Sequence, residues 1–475
     1  MIMKIVFLHM HLKPGGVSTV LFQQVAALEG HCEVLVASGD DPPPDFPAPH
    51  IRIPGLGYDH PESPESDPEP VETANALQSA IQKQWSGGCD IIHVHNPLLA
   101  KNSRLLSILE ILHDRGFVLF LQIHDFPEDG RPNAYYRNRD YLPDCHYGTI
   151  NARDARILIQ CGLRPEGVHE LFNMVHTIGT EGLEGSAIPT VLYPVRGIRR
   201  KNLGEAILLS LWFEANVPLA ITLPPNSEAD RIVYECWKRY ALDKRLNILF
   251  EASGMHDFEA LVADARFLLT TSINEGFGFT FLEPWLSGKA LMGRRLPDIC
   301  QDFEARGIEL DHLYDQLYVP IDWIDLPAFE DLWKHCIRMT YHRYGFRIEE
   351  EEIQSGFMRL TKDAVIDFSL LSESFQRRVI DRILADPHEK HSFERINPVL
   401  ARFGDLPDFS RVIGSNREAV LRQYGMANYS RRLMEIYSKV LSVKVIHAID
   451  KNKLLNRFLQ PDRFSLIKWC DTEPC

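Results

Sequence analysis

The chain has 475 residues, 45% of them hydrophobic, enough for two or three domains with cores of their own and too apolar for a disordered protein. Fifty-one Lys and Arg against 65 Asp and Glu give a formal charge of −14, which disfavours nucleic acid and anionic membrane surfaces as general partners, so any anion needs a local site. No run approaches the roughly 20 apolar residues that span a bilayer, MIMKIVFLHMHL lacks the pattern of a secretory leader, and nine cysteines without a C-x-x-C pair read as reduced thiols, so the expected location is the cytoplasm.

Short apolar runs alternate with helical patterns from the start. KIVFLHM (4–10) leads through Pro14-Gly15-Gly16 into a helix from Val17 to Leu28, and EVLVASG (33–39), DIIHVHN (90–96) and FVLFLQIHD (117–125) are further strands. Residues 40–70, rich in Pro, Asp, Glu and Ser, read as a long surface loop. The strand-helix rhythm restarts at TVLYPV (190–195) and continues through LAITLP (219–224), NILFEA (247–252), RFLLTTS (266–272) and KALMG (289–293).

Such alternation implies an α/β chain with two doubly wound, Rossmann-like parallel-sheet domains in series. The expected division is 1–185 and 186–301 for these two, then a helical insertion or extension over 302–415. Helices over 416–475 are expected to pack back across the domains.

In doubly wound sheets ligands bind beyond the carboxyl ends of the strands, where helix N-termini present free amides. Four turns with chemistry fall at such ends: Gly15-Gly16, His124-Asp125, Arg196 to Lys201, and Glu275 to Glu283. Arg196 brings a planar fork and Lys201 a mobile point charge, a pair able to neutralise a diphosphate, although Arg199 and Arg200 also suit a solvated basic loop. In EGFGFTFLE (275–283), Gly276 and Gly278 admit close backbone approach, and the amides of Gly278, Phe279 and Thr280 are expected to open a helix whose dipole favours phosphate. Glu275 and Glu283 flank that turn. Carboxylates there suit the neighbouring hydroxyls of a sugar ring and a ribose, with Phe277 in the turn between them.

These residues resemble the retaining, family 4 type of GT-B glycosyltransferases. EGFGFTFLE matches the E-x7-E element at each fixed position, and Arg196 with Lys201 matches its R-x4-K clamp. PGGVSTV resembles the family's Gly-Gly-Val loop, DIIHVHNP its D-V-V-H-x-H strand and LQIHD its H-D turn, while the segment 147–175 resembles the helix that ends in a conspicuous Asn, here Asn173. The likeness spans roughly residues 3–300. Three features depart from it: GRRLPD (293–298) replaces the usual Gly-Gly and acidic residue, Met follows Asn173, and the helical stretch after 302 has no counterpart.

The resemblance implies two domains facing a cleft and hexose transfer from a nucleotide-diphosphate sugar to a hydroxyl acceptor with retention of configuration. Arg196, Lys201, Glu275 and His124 would carry the catalysis, with no protein nucleophile and no cofactor beyond the donor substrate. His124 would lie near the sugar's reacting end. The loop FPEDGRPNAYYRNRDY offers Arg131, Arg137 and Arg139 among tyrosines for a small anionic or sugar acceptor, with a solvated loop as the alternative. His9 with His11 and His93 with His95 alternate at strand period, and packing or acceptor lining is preferred over metal binding there. A nucleotide-sugar epimerase and a non-catalytic binding protein of the same architecture are the competing readings.

Overall fold

In the computed structural model, which describes residues 2–44, 46–59, 68–176, 189–254 and 256–471, the apolar runs form two all-parallel sheets. Each belongs to its own compact unit, Met1–Met174 with Tyr424–Leu459, and Val175–Gln423 with Gln460–Cys475.

The first sheet has seven strands: β1 Met3–His9, β2 Cys32–Ser38, β3 His50–Arg52, β4 Ile91–His95, β5 Leu119–Ile123, β6 His146–Thr149 and β7 Val168–Glu170. Their order is β3-β2-β1-β4-β5-β6-β7, so chain direction across the sheet reverses at β1, the usual place for a ligand crevice. All five residues of β4 and of β5 are buried, as befits strands covered on both faces. The helix Met426–Ser442 returns to this unit, where Tyr429, Leu433, Ile436 and Tyr437 join Ile5, Phe7 and Phe120 in one core.

The second sheet comprises β8 Thr190–Arg196, β9 Leu219–Leu223, β10 Ile248–Leu249, β11 Ala265–Thr270 and β12 Leu291–Gly293, in the order β10-β9-β8-β11-β12. Its switch lies between β8 and β11, whose carboxyl ends lead into the Arg196 and Glu275 turns. A separate antiparallel pair, β13 Tyr318–Pro320 and β14 Val365–Asp367, sits among the later helices.

Several expectations need correction. The segment 40–70 is not all loop, because β3 adds an edge strand to β2 and Pro54–Leu56 forms a 3-10 turn; residues 60–67 lie outside the described residues. Strands β6 and β7 are too short and too polar to stand out in sequence, yet they extend the first sheet. Residues 302–415 belong to the second unit together with its sheet; of residues 416–475, 424–459 belong to the first unit and 416–423 with 460–475 to the second. The expected boundary at 185 falls outside the described residues.

The thiols are not all reduced either. Cys336, on the helix Leu326–Arg343, is disulfide-bonded to Cys470 just beyond the turn Leu466–Trp469, with Cα atoms 5.4 Å apart. A pairing across 134 residues of sequence comes from tertiary packing and has no signature in spacing. Among the described residues no helix is long and apolar enough to cross a membrane.

Candidate functional site

At the end of β8 the chain makes a 3-10 turn, Arg199–Lys201, closed by Asn202 in the left-handed region at φ 53° and ψ 58°. Asparagine tolerates that conformation when its side chain bonds locally, and Asn202 Nδ2 donates to Glu205 Oε2 at 2.7 Å while its Oδ1 accepts from Gln376 at 2.9 Å. The Lys201 carbonyl accepts from Tyr193 OH at 2.5 Å and from Thr271 Oγ1 at 2.9 Å. The clamp turn is thus tied to β8, where Tyr193 sits, and to the end of β11.

Those bonds bring two predicted site residues into contact. Lys201 Nζ pairs with Glu275 Oε1, and Arg200 Nη1 with Glu275 Oε2 at 3.2 Å. Burial works against ionisation of Glu275, but the Lys201 ammonium and the Arg200 guanidinium outweigh it and hold the carboxyl below its usual range. Arg196 is engaged elsewhere: its Nη1 donates to Pro224 O at 2.9 Å and to Asn226 Oδ1 at 2.6 Å. Arg199, read from sequence as one of a solvated run, is half-buried, gripping Glu373 through Nε and Nη2 at 2.7 and 2.8 Å.

The Gly-Phe-Gly turn differs from its expectation. It is followed by a 3-10 turn, Phe279–Phe281, and a single helical turn, Glu283–Leu286, with Pro284 beside Glu283. The long helix that would lend a macrodipole is therefore absent from this position, although Phe279 and Thr280 still precede the turn's first bond, Phe281 N to Gly278 O at 2.9 Å. Gly278 has φ 95°, and a Cβ there would meet Phe281 and Ile299 at 3.0 and 3.1 Å, so the glycine is required. The Phe277 side chain packs edge to face on Phe279 and Phe303, which leaves only its main chain for a ligand. Thr280 Oγ1 is buried without a partner among the described residues. Glu283 makes no ion pair there either, and burial raises its carboxyl to about 7.

The GRRLPD departure has a structural explanation. Arg294 turns inward and is 3% exposed, bonded to both oxygens of Glu205 and both of Asp367, while Arg295 grips Glu304. Arg294 therefore serves the interior beneath the clamp turn.

In the first unit the histidine pairs form one cluster with His124. His93 stacks on His95 at 4.8 Å between ring centroids and His95 on His124 at 5.1 Å; His95 Nδ1 lies 2.9 Å from His124 Nε2, and His9 lies edge-on to His95. Burial lowers His9 and His93 to about 3 and His124 to about 4, so the rings are neutral at pH 7. Asn96 Oδ1 accepts from the amides of His124 and Asp125, fixing the turn. Among the described residues, no group of three or more His, Cys, Asp or Glu is arranged to hold a metal ion.

The arginine-tyrosine loop folds on itself. Arg131 pairs with Asp125 at 2.6 Å, Arg139 with Glu110 at 2.5 Å, and Tyr135, Tyr136 and Tyr141 are buried, so of the three arginines Arg137 is the exposed one. Gly15 and Gly16 stand exposed at the head of the helix Gly16–Ala27, and Asn173 is buried with Oδ1 unpartnered among the described residues. Sequence reasoning missed Arg200, Tyr193, Thr271 and Glu205 as parts of the site; only Arg200, inside the R-x4-K run, carried a signal.

Comparison with known proteins adds three relationships. The chain is 26% identical over 423 residues to the mannosylglucosyl-3-phosphoglycerate synthase of Petrotoga mobilis, spanning 78% of this chain and 79% of that one. A glycosyltransferase from Rickettsia africae superposes with a TM-score of 0.53 at 12% identity, over 93% of this chain and 99% of that one. HepE of Anabaena in complex with UDP and glucose does so with 0.51 at 14%, over 92% and 99%. No family model matches the chain. With two parallel, doubly wound units and these structural neighbours, the chain has the GT-B fold of glycosyltransferases.

Proposed function

We propose that the chain is a glycosyltransferase of the retaining, family 4 type that moves a hexose from a nucleotide-diphosphate sugar to a hydroxyl of a small anionic acceptor. The observation that carries this reading is the Lys201–Glu275 pair beside the Gly-Phe-Gly turn, with Glu283 eight positions on and without a partner of its own among the described residues. A buried carboxylate held ionised by two cations is an acceptor for sugar hydroxyls, and Lys201 and Arg196 with the amides of Phe279 and Thr280 supply positive charge for a departing diphosphate. Glu283 is assigned to the ribose. His124, neutral and fixed by its amide, is assigned to hydrogen bonding with a substrate hydroxyl; it is not an acid at pH 7. The R. africae and Anabaena structures support the activity and the donor class.

The anionic acceptor rests on the Petrotoga relative, whose name describes a product built on a phosphoglycerate. Thermal shifts with UDP-, GDP-, ADP- and TDP-sugars test the donor, since a ligand of the native state raises the melting temperature. Incubation of the stabilising donor with phosphoglycerate-based acceptors, followed by NMR of the product's anomeric proton, tests the acceptor and the retention of configuration. Stabilisation by no nucleotide sugar would point to a non-catalytic protein, and conversion of donor without acceptor to an epimerase.

A further inference from the structure

We propose that Arg200 is the positioning residue for Glu275, holding its carboxylate so that Lys201 is released to the donor's diphosphate; this rests on the function proposed above. The Lys201 ammonium, with a side chain only 13% exposed, lies on Glu275 Oε1. One point charge cannot neutralise both a buried carboxylate and a phosphate. If Lys201 alone served Glu275, its transfer to the diphosphate would leave that carboxylate, 9% exposed, without a counter-charge, a costly state in a low-dielectric site.

Arg200 removes the conflict. Its Nη1 donates to Glu275 Oε2 at 3.2 Å and to the adjacent Asn274 carbonyl at 2.8 Å, and its own carbonyl accepts from Ile273 N at 3.0 Å. Side chain and main chain of one residue thus staple the clamp turn to residues 273–275. The preceding arginine serves another contact, Arg199 bonding Glu373 and the Cys470 carbonyl. Three consecutive basic residues therefore divide three tasks: Arg199 anchors the turn, Arg200 holds the sugar carboxylate, and Lys201 meets the phosphates.

Full-length Arg200→Ala and Arg200→Lys variants test this with the donor identified by thermal shift. For Arg200→Ala the expected result is donor affinity within about threefold of wild type, kcat lower by about tenfold or more, and an acid limb of the kcat profile displaced upward by about one pH unit or more; Arg200→Lys recovers part of each. Parallel loss of affinity and kcat would overturn the proposal by making Arg200 a diphosphate ligand, and so would an unmoved pH profile. NMR titration of the Glu275 carboxyl in the donor-free protein separates this from the functional reading. An unchanged Glu275 titration in Arg200→Ala overturns the role of Arg200 whether or not wild type turns over a sugar, whereas failure of wild type to bind any nucleotide sugar overturns the function itself.

Discussion

Arg294 and Glu205 meet fork to fork inside the second unit, Nε to Oε1 at 2.8 Å and Nη2 to Oε2 at 2.7 Å. Asp367 takes the other edge of the guanidinium at 2.8 Å through both oxygens, and Tyr314 OH and Asn202 Nδ2 complete the bonding of Glu205 at 2.7 Å each. Since Asn202 follows Lys201 directly, this buried network sets the conformation of the clamp turn. Arg294→Met leaves two buried carboxylates without their cation and is expected to cost ~3–5 kcal/mol in urea unfolding. Arg295→Ala, which removes partly exposed pairs, is expected to cost about 1 kcal/mol or less. Equal effects would mean that the inner network is not the stronger one.

Lys201→Ala should lower kcat more than it weakens binding of the intact donor, because negative charge grows on the diphosphate as the glycosidic bond breaks. A barrier increase of roughly 2–4 kcal/mol is expected if the loss resembles removal of one oxyanion donor. Arg196→Lys should also reduce turnover, since Nη1 alone holds Pro224 and Asn226 and a lysine lacks the guanidinium's further N–H groups for the diphosphate. Steady-state kinetics with a defined donor decides the matter: a change in KM alone would assign Lys201 to ground-state binding.

With Glu283 on the ribose, as proposed, nucleotide-sugar affinity is expected to depend on pH. Its carboxyl, raised by burial to about 7, is protonated in the folded donor-free protein at pH 6, and a ribose diol favours the ionised form. Affinity should therefore climb between pH 6 and 7.5 and then level off, measured by calorimetry with a donor that does not itself titrate in that range. The sign for stability is opposite to the ordinary carboxylate case: the folded state holds the proton more tightly than the unfolded chain, so this contribution is present below pH 4.5 and is lost as pH rises through about 7. Glu283→Gln should flatten both dependences.

The neutral histidines act in the other direction. His9 and His93 at about 3 and His124 at about 4 bind protons less readily when folded than unfolded, so their contribution is complete above pH 6.5 and is lost as pH falls toward those values. Each is expected to remove about 1.4 kcal/mol per pH unit once the unfolded chain is protonated. Imidazole NMR should show none of the three titrating above pH 5. A midpoint near 6.5 for any of them would place that ring in contact with water.

The sequence by itself determined the two parallel sheets and the position of the clamp and carboxylate turns at strand ends, because buried parallel strands need continuous apolar runs and their ligand-binding turns follow in register. EGFGFTFLE and RGIRRK were legible for that reason. Strands β3, β6 and β7 escaped notice since runs of three or four partly polar residues carry no periodic signal. Tertiary structure alone decided that Lys201 and Glu275, 74 positions apart, form an ion pair, that Arg294 points inward while Arg295 stays partly exposed, and that Cys336 reaches Cys470. Each of these is a choice of partner for a charge or a thiol, and a chain specifies such partners only through the packing that brings distant segments within hydrogen-bond or covalent reach.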